Sequence, residues 1–231
     1  MTAIVLVGGM GTRLQSIVSD VPKAMALIDN KPFLEYLLKF LSGYGVTCAI
    51  LSVGYKGEII EDYFGDSFLG MSLDYSKETT PLGTGGAIKL ALEKCIDNTI
   101  LALNGDSIFN IDIRRLFEFH LKNNADITLS LKEMFNVWRS GIIKLNDNRV
   151  IEMREKAKAE HAYINSGTYI LKRDVFSDFS LPERFSFEEF LTDNVGNLNI
   201  SGLPFDANFI DIGIPEDYEK AQTLIPEWVK L

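Results

Sequence analysis

Short apolar runs alternate with helix-like stretches along residues 1–125. The runs do not alternate strictly between apolar and polar positions, which is typical of strands buried on both faces. We therefore expect a mostly parallel sheet with helices on both sides. The predicted strands are Ala3–Val7, Ala49–Val53, a weaker Ser72–Tyr75 and Thr99–Leu103, and the predicted helices are Pro32–Tyr44, Gly57–Phe64, Gly85–Cys95 and Ile113–Lys122.

The pattern changes after Asp126, where strands dominate and helices become fewer. A polar segment at 146–148 has the composition of a hairpin turn. No repeat and no low-complexity linker separates the two halves, so this part predicts a smaller β-rich lobe added to the first half. The predicted strands here are Ile127–Leu131, Ile142–Leu145, Val150–Arg154, Tyr163–Leu171 and Ile200–Leu203, and the predicted helices are Phe187–Asn194 and Pro215 to about Trp228.

Composition and charge exclude several classes of protein. The net charge of −9 argues against a nucleic-acid-binding face, and no apolar run reaches the roughly 18 residues of a membrane span. Cys48 and Cys95 lie far apart without metal-ligand spacing, so we expect each to be a small buried residue and not a ligand or a disulfide partner, in a cytoplasmic protein. We expect His120 and His161 to be ordinary surface or interface residues, and so favour a mechanism without a histidine base.

A glycine-rich loop follows the first predicted strand. Backbone N–H groups of such a loop can approach phosphate oxygens, and Lys23, fixed behind Pro22, could neutralise their charge. A dinucleotide fingerprint is disfavoured because Leu14 replaces its third small residue and no acid follows the next strand. A Walker loop lacks its closing Gly-Lys-Ser/Thr. A tight turn alone explains one glycine, whereas the loop contains Gly8, Gly9, Gly11, Thr12 and Arg13.

Two aspartates suggest a metal site. Asp106 ends the third strong apolar run, and Asp211 interrupts an apolar segment, where an unpaired acid is costly. Two carboxylates together with phosphate oxygens would suit Mg²⁺. For Asp106 the alternative is a helix cap.

A second glycine-rich segment and a set of polar positions complete the candidates. Residues 79–87 contain Thr80, Gly83 and Thr84, and are compatible equally with a base-binding loop and with a turn before a helix. Glu155, Lys156 and Asn165 lie in the β-rich half, where carboxylate and amide groups suit sugar hydroxyls and a lysine suits a phosphate. Taken singly, each of these three is typical of a surface residue.

Together these segments resemble the sugar nucleotidyltransferase family. The resemblance extends over the whole chain in the family's order, and residues 185–191 and 209–213 resemble most the bacterial subgroup that transfers guanylate to a heptose 1-phosphate. The segments that carry it are Leu6–Leu14, Pro22-Lys23, Pro81–Gly86, Asn104–Asp106, Glu155-Lys156, Asn165–Gly167 and Asp211–Tyr218.

The resemblance implies the family's fold, an α/β, Rossmann-like sheet flanked by helices with a β-rich sugar-binding lobe. It implies one domain over 1–231, with a nucleotide-binding half at about 1–125 and a sugar-binding half at about 126–231. The implied reaction joins a nucleoside triphosphate, GTP by preference, to a sugar 1-phosphate, releasing pyrophosphate and a nucleotide-sugar for surface polysaccharide synthesis.

The resemblance also implies residue roles. Arg13 would hold the leaving phosphates, Lys23 would bridge the α-phosphate and the sugar phosphate, and Asp106 and Asp211 would hold Mg²⁺. The implied nucleotide site is Leu6, Gly8, Gly9, Gly11, Thr12, Arg13, Lys23, Thr80, Gly83, Thr84 and Asp106, and the implied sugar site is Gly141, Glu155, Lys156 and Asn165.

Alternatives remain at this point. Another hexose 1-phosphate could be the substrate, the chain could be a non-catalytic sensor of nucleotide-sugars, and an oxidoreductase is a distant third. We also expect Phe135, Val137 and Trp138 to form an exposed apolar patch that would suit a homo-oligomer interface.

Overall fold

The computed structural model describes residues 1–9, 20–137, 141–154 and 158–229. The strands are β1 Thr2–Leu6, β2 Leu27–Ile28, β3 Lys31–Pro32, β4 Cys48–Val53, β5 Ser67–Phe68, β6 Met71–Lys77, β7 Thr99–Asn104, β8 Ser107–Phe109, β9 Ile127–Val137, β10 Ile142–Asn146, β11 Arg149–Arg154, β12 Ala159–Lys172, β13 Ile200–Phe205 and β14 Phe209–Asp211. The helices are α1 Phe33–Gly43, α2 Gly57–Phe64, α3 Gly83–Leu92, α4 Ile113–Lys122, α5 Phe187–Asp193 and α6 Pro215–Trp228, and a short 3₁₀ turn covers Lys23–Met25.

Within the described ranges, one ten-stranded sheet has the order β10-β11-β13-β9-β12-β7-β1-β4-β6-β5. Strand β1 pairs in parallel with β4 and β7, and β4 pairs in parallel with β6. The carboxyl ends of these four strands therefore share one edge, as predicted for an open α/β sheet whose ligands bind there.

The β-rich half continues this sheet. Strand β12 pairs antiparallel with both β7 and β9, and so joins the second half directly to the parallel strands. The predicted α/β architecture with an added β-rich part is confirmed, while the functional division at residue 125 stays a prediction.

The sheet has an apolar layer on each face because successive side chains of a strand point in opposite directions. Ala3 and Val5 of β1 face the layer that contains α1, whereas Ile4 faces the layer that contains α3. None of the helices in the described ranges is long and apolar enough to cross a membrane.

Element boundaries differ most where strands are very short or polar. The pairs β2–β3 and β8–β14 have only two or three residues per strand and give no periodic signal. Strand β12 begins at Ala159 instead of Tyr163, because residues 159–162, which give no apolar run, pair with β9. Helix α3 begins at Gly83 and ends at Leu92, two and three residues before the predicted bounds.

The predicted apolar patch is only partly present. Phe135 is exposed and its ring lies 5.0 Å from that of His161, but Val137 is buried. Trp138 lies outside the described residues. The expectation for Val137 was wrong because β9 extends to this residue and pairs it with Ala159.

The expectation for His120 was also wrong. This side chain lies on the buried face of α4, and its Nδ1 lies 3.0 Å from Thr128 Oγ1. Burial, reinforced by the charge of Lys172, lowers the pKa of His120 to about 4. His161 is exposed at the surface, as expected.

His120 should make folding stability depend on pH. Its pKa is about 6.5 in the unfolded chain, so between that value and about 4 the unfolded state binds the extra proton. The free energy of unfolding is therefore unaffected by this proton above pH 6.5, and it falls on acidification, by about 2 kcal/mol at pH 5. We expect His120→Gln to lose less stability than wild type between pH 7.5 and pH 5 in urea unfolding. His161→Gln is the control, and an equal loss in wild type and His120→Gln would contradict this role.

Candidate active site

Three of the predicted catalytic residues meet at the carboxyl edge of the parallel strands. Lys23 Nζ lies 2.7 Å from Asp106 Oδ2 and 3.2 Å from Asp211 Oδ1. The lysine side chain is largely buried, with 11% of its surface exposed. One ammonium thus holds together two carboxylates that are 105 positions apart in the sequence (211 − 106).

A rigid local structure positions Lys23. The 3₁₀ turn after Pro22 is closed by a 2.8 Å hydrogen bond from the Met25 N–H to the Pro22 carbonyl. Ala24 and Met25 are buried, which anchors the turn in the core beside α1. The lysine therefore leaves a fixed stretch of backbone.

Two backbone connections position the aspartates. The Gly105 N–H donates to the Leu6 carbonyl at 2.9 Å, and a Cβ at Gly105 would lie 2.6 Å from that oxygen, so only glycine fits. The Ile212 N–H donates to the Asp106 carbonyl at 3.0 Å. The small sheet formed by β8 and β14 continues this contact and pairs Ser107 with Asp211.

The electrostatics of Asp211 reflect its neighbours. Burial is the main cause that raises the pKa of this carboxyl above its usual range, and the charge of Asp106 adds to it. The Gly213 N–H donates to Asp211 Oδ1 at 2.7 Å, and this hydrogen bond and the charge of Lys23 both lower the pKa of Asp211. With both aspartates ionised, the three charged groups sum to −1.

The first glycine loop is described up to Gly9. A Cβ at Gly8 would lie 2.9 Å from Glu78 Oε1, and Glu78 Oε2 accepts from the Leu82 N–H at 2.9 Å. Glu78 therefore connects the first glycine loop to the second. Gly11, Thr12 and Arg13 lie outside the described residues.

The glycines of the second loop pack against the protein itself. Gly83 has a φ of +72°, and a Cβ there would lie 2.6 Å from the Phe185 carbonyl oxygen. Thr84 Oγ1 accepts from the Phe187 N–H and donates to Glu188 Oε2, both at 2.8 Å. Internal packing thus accounts for Gly83 and Thr84, whereas Thr80 is exposed. A nucleotide-binding role for these three residues stays a prediction.

A cleft of about 320 Å³ opens beside the charged cluster. Its lining joins Asp211 to two predicted sugar-binding residues, Gly141 and Asn165. Asn165 lies where the register of β12 against β9 shifts, and such an irregularity re-aims side chains. Glu155 and Lys156 lie outside the described residues.

Comparison with known proteins decides the family. A family model described as nucleotidyl transferase matches residues 2–227. The chain belongs to the nucleotidyl transferase family. It is therefore an enzyme of this class, and the predicted nucleotide-diphospho-sugar transferase fold is confirmed.

Individual members of the family cover nearly the whole chain. It is 47% identical to D-glycero-alpha-D-manno-heptose 1-phosphate guanylyltransferase of Aneurinibacillus thermoaerophilus, over 99% of this chain and 100% of that protein. The protein of the same name from Campylobacter jejuni is 48% identical over 94% of this chain and 97% of its own. HddC from Yersinia pseudotuberculosis complexed with GMP-PN superposes with a TM-score of 0.84, at 37% identity over 96% and 97% of the two chains.

The charged cluster fits a divalent cation in a nucleotidyltransferase. The carboxylates of Asp106 and Asp211 both contact the Lys23 ammonium. Mg²⁺ is commonly bound by one or two carboxylates, phosphate oxygens and water. Among the residues with described positions, no group of three or more His, Cys, Asp or Glu side chains could hold a metal ion. A metal here would thus depend on substrate oxygens to complete its ligands.

Sequence reasoning missed several residues around the nucleotidyltransferase site. Glu78, Tyr169 and Glu188 were not singled out, although the first touches the glycine loop and the others line the cleft. Glu78 follows β6 directly, so the end of a parallel strand was a usable signal. Glu188 lies in the segment 185–191 that carries the resemblance, but neither it nor Tyr169 was given a role, because their meeting depends on tertiary structure.

The Gly83 contact gives a stability prediction. Gly83→Ala should cost roughly 2–5 kcal/mol of unfolding free energy, since it combines an unfavourable φ with a clash against the Phe185 carbonyl. Gly45→Ala is the matched control, because Gly45 has a φ of +80° and no atom near its Cβ position. This control should cost about 1 kcal/mol in urea unfolding. Equal losses in the two variants would contradict the packing explanation.

Proposed function

We propose that this enzyme transfers guanylate from GTP to D-glycero-α-D-manno-heptose 1-phosphate, forming GDP-heptose and pyrophosphate. The observation that carries the proposal is the Lys23–Asp106–Asp211 cluster, whose Asp211 lines the same cleft as Asn165. The names of the two relatives at 47% and 48% identity support the choice of sugar. The GMP-PN complex of HddC supports the choice of base.

The chemistry needs positioning more than a base. The attacking oxygen belongs to a phosphate monoester whose second pKa is about 6, so it is already anionic near neutral pH. Its bond to the α-phosphorus forms as the bond from that phosphorus to the bridging oxygen of pyrophosphate breaks. No proton has to move, so orientation and charge neutralisation supply the catalysis.

Lys23 would neutralise charge between the two reacting phosphates. It leaves a buried turn and contacts Asp211, which lines the cleft. Asp106 and Asp211 would hold Mg²⁺, which when bound supplies positive charge to the phosphate oxygens. A cluster of net charge −1 would otherwise repel a triphosphate, which supports the need for the metal.

The remaining roles are proposals from family resemblance. Arg13 would bind the leaving phosphates, Lys156 the sugar phosphate, and Glu155 with Asn165 the sugar hydroxyls. The first glycine loop would seat the nucleotide. We further propose a cytoplasmic enzyme, since Cys48 and Cys95 are free thiols. We also propose the Phe135 surface as a homo-oligomer contact.

A substrate panel tests the proposed function. Purified protein is incubated with Mg²⁺ and each of GTP, ATP, CTP and UTP, crossed with heptose, mannose and glucose 1-phosphates, and pyrophosphate release is measured. We expect the highest kcat/KM for GTP with the heptose. Faster release with mannose 1-phosphate would identify a different sugar, and nucleotide-sugar binding without release would indicate a sensor.

Asp106→Asn tests the charged cluster. We expect kcat to fall roughly 1,000-fold or more, because one carboxylate of the proposed metal site is lost, while the melting temperature stays near wild type. Asp74→Asn is the control, since Asp74 pairs with Lys94 at 3.0 Å on an exposed surface. Pyrophosphate release by Asp106→Asn near the wild-type rate would refute the proposed metal role.

Glu78→Gln tests base selection. We propose that the Glu78 carboxylate, which lies beside Gly8, accepts hydrogen bonds from the N–H groups of the guanine base. The substitution keeps an oxygen for the Leu82 N–H but removes the charge, so kcat/KM for GTP should fall about 10- to 100-fold. The kcat/KM for ITP, which lacks the exocyclic amine of guanine, should fall less. The ratio of kcat/KM for GTP to kcat/KM for ITP should therefore decrease.

The matched control for Glu78→Gln is Glu61→Gln. Glu61 bonds Lys77 at 2.7 Å on α2, at the surface. This variant should keep the wild-type GTP-to-ITP ratio. If Glu78→Gln leaves the GTP-to-ITP ratio of kcat/KM unchanged, Glu78 does not bind the guanine base.

A further inference from the structure

Gly213 lies in the turn between β14 and α6, and its backbone contacts the charged cluster. The Gly213 N–H donates to Asp211 Oδ1 at 2.7 Å, and the Lys23 ammonium binds the same oxygen at 3.2 Å. None of the described residues donates to Asp211 Oδ2. Two donors thus converge on one oxygen of this carboxylate, which fixes its orientation and leaves the other oxygen for a cation.

The space beside Gly213 is occupied by these same charged groups. A Cβ at this position would lie 2.9 Å from Asp211 Oδ1 and 3.0 Å from Lys23 Nζ. Non-bonded carbon atoms prefer separations of about 3.5–4.0 Å, so a methyl group would crowd both groups. The φ of Gly213 lies outside the left-handed region. The need for open space, and not backbone freedom, therefore explains the glycine.

The backbone around Gly213 is held on both sides. Before it, the Ile212 N–H donates to the Asp106 carbonyl at 3.0 Å, and the Ile212 side chain is fully buried. After it, α6 is fastened to β2 by Gln222 Nε2, which donates to the Leu27 carbonyl at 2.9 Å. The ends of long side chains move more easily than a backbone held in this way. A methyl group at Gly213 would therefore displace the two charged side chains.

We propose that Gly213 is a positioning residue, which orients the Asp211 carboxylate through its N–H and leaves the space that the Lys23 ammonium occupies. This rests on the proposed function, which assigns Lys23 to the reacting phosphates and Asp211 to the metal. The role differs from that of Gly83 and Gly105, where a Cβ would meet backbone oxygens. A side chain at those two positions strains the fold, whereas one at Gly213 disturbs the charged cluster.

Gly213→Ala tests the role. The melting temperature should stay near that of wild type, because only the ends of side chains have to move. In the pyrophosphate-release assay kcat should fall roughly 10- to 100-fold, since a shift of about 1 Å in charge-neutralising groups is enough for such a loss. In calorimetry with Mg²⁺ and a non-hydrolysable GTP analogue, the Kd of the analogue should rise about 3- to 10-fold.

Gly196→Ala is the matched control. Gly196 is exposed, its φ lies outside the left-handed region, and no atom lies within 4 Å of its Cβ position. This variant should keep the melting temperature, the kcat and the Kd of the analogue near their wild-type values.

Lys23→Ala is the reference, and should lower kcat at least as much as Gly213→Ala does. With the ammonium removed, the methyl group has one charged neighbour fewer to displace. In the Lys23→Ala background, Gly213→Ala should therefore lower kcat by clearly less than it does alone.

The outcomes separate the two proposals. If Lys23→Ala lowers kcat but Gly213→Ala changes neither kcat nor the Kd of the analogue, the positioning role is wrong and the proposed function survives. If the wild type releases no pyrophosphate with any substrate pair, the proposed function is wrong, while the Kd still tests Gly213. A melting temperature lowered as much as in Gly83→Ala, or full additivity with Lys23→Ala, would also overturn the positioning role.

Discussion

The site depends on two carboxylates that share one ammonium. Asp106 and Asp211 would repel each other at close range, and Lys23 holds them together through contacts of 2.7 Å and 3.2 Å. The partly buried setting strengthens both the repulsion and the attraction. The arrangement is stable only because each backbone segment is fixed independently of the charges, by a buried turn at Lys23 and a strand pair at Asp211.

The small sheet of β8 and β14 provides much of that fixation. It lies outside the ten-stranded sheet, and it brings a segment from the end of the chain to the edge where β1 and β7 finish. Residues from both halves of the sequence consequently line one cleft next to the charged cluster.

Much of this could be predicted from the sequence, because strand ends and glycine loops carry local signals. The apolar runs located the parallel strands, and Asp106 and Asp211 stood out as acids beside apolar runs. The packing of Gly83 could not be predicted, since its partner Phe185 lies about a hundred residues later and only the fold brings them together. The burial of His120 was missed for a related reason, because its partner Thr128 belongs to the next strand.

Both proposed substrates are anions, and the chain carries a net charge of −9. The net charge of the chain therefore gives these substrates no long-range attraction, and the described cluster is itself negative by one unit. Affinity has to arise locally, from cations within a few ångströms of the phosphates, where screening by salt is weak. A nucleotide whose charge is already reduced by a bound divalent cation meets less repulsion than the free triphosphate. In the proposed metal site the two carboxylates would attract the cation instead of opposing the nucleotide, which would give acidic residues a reason to lie in a phosphate site.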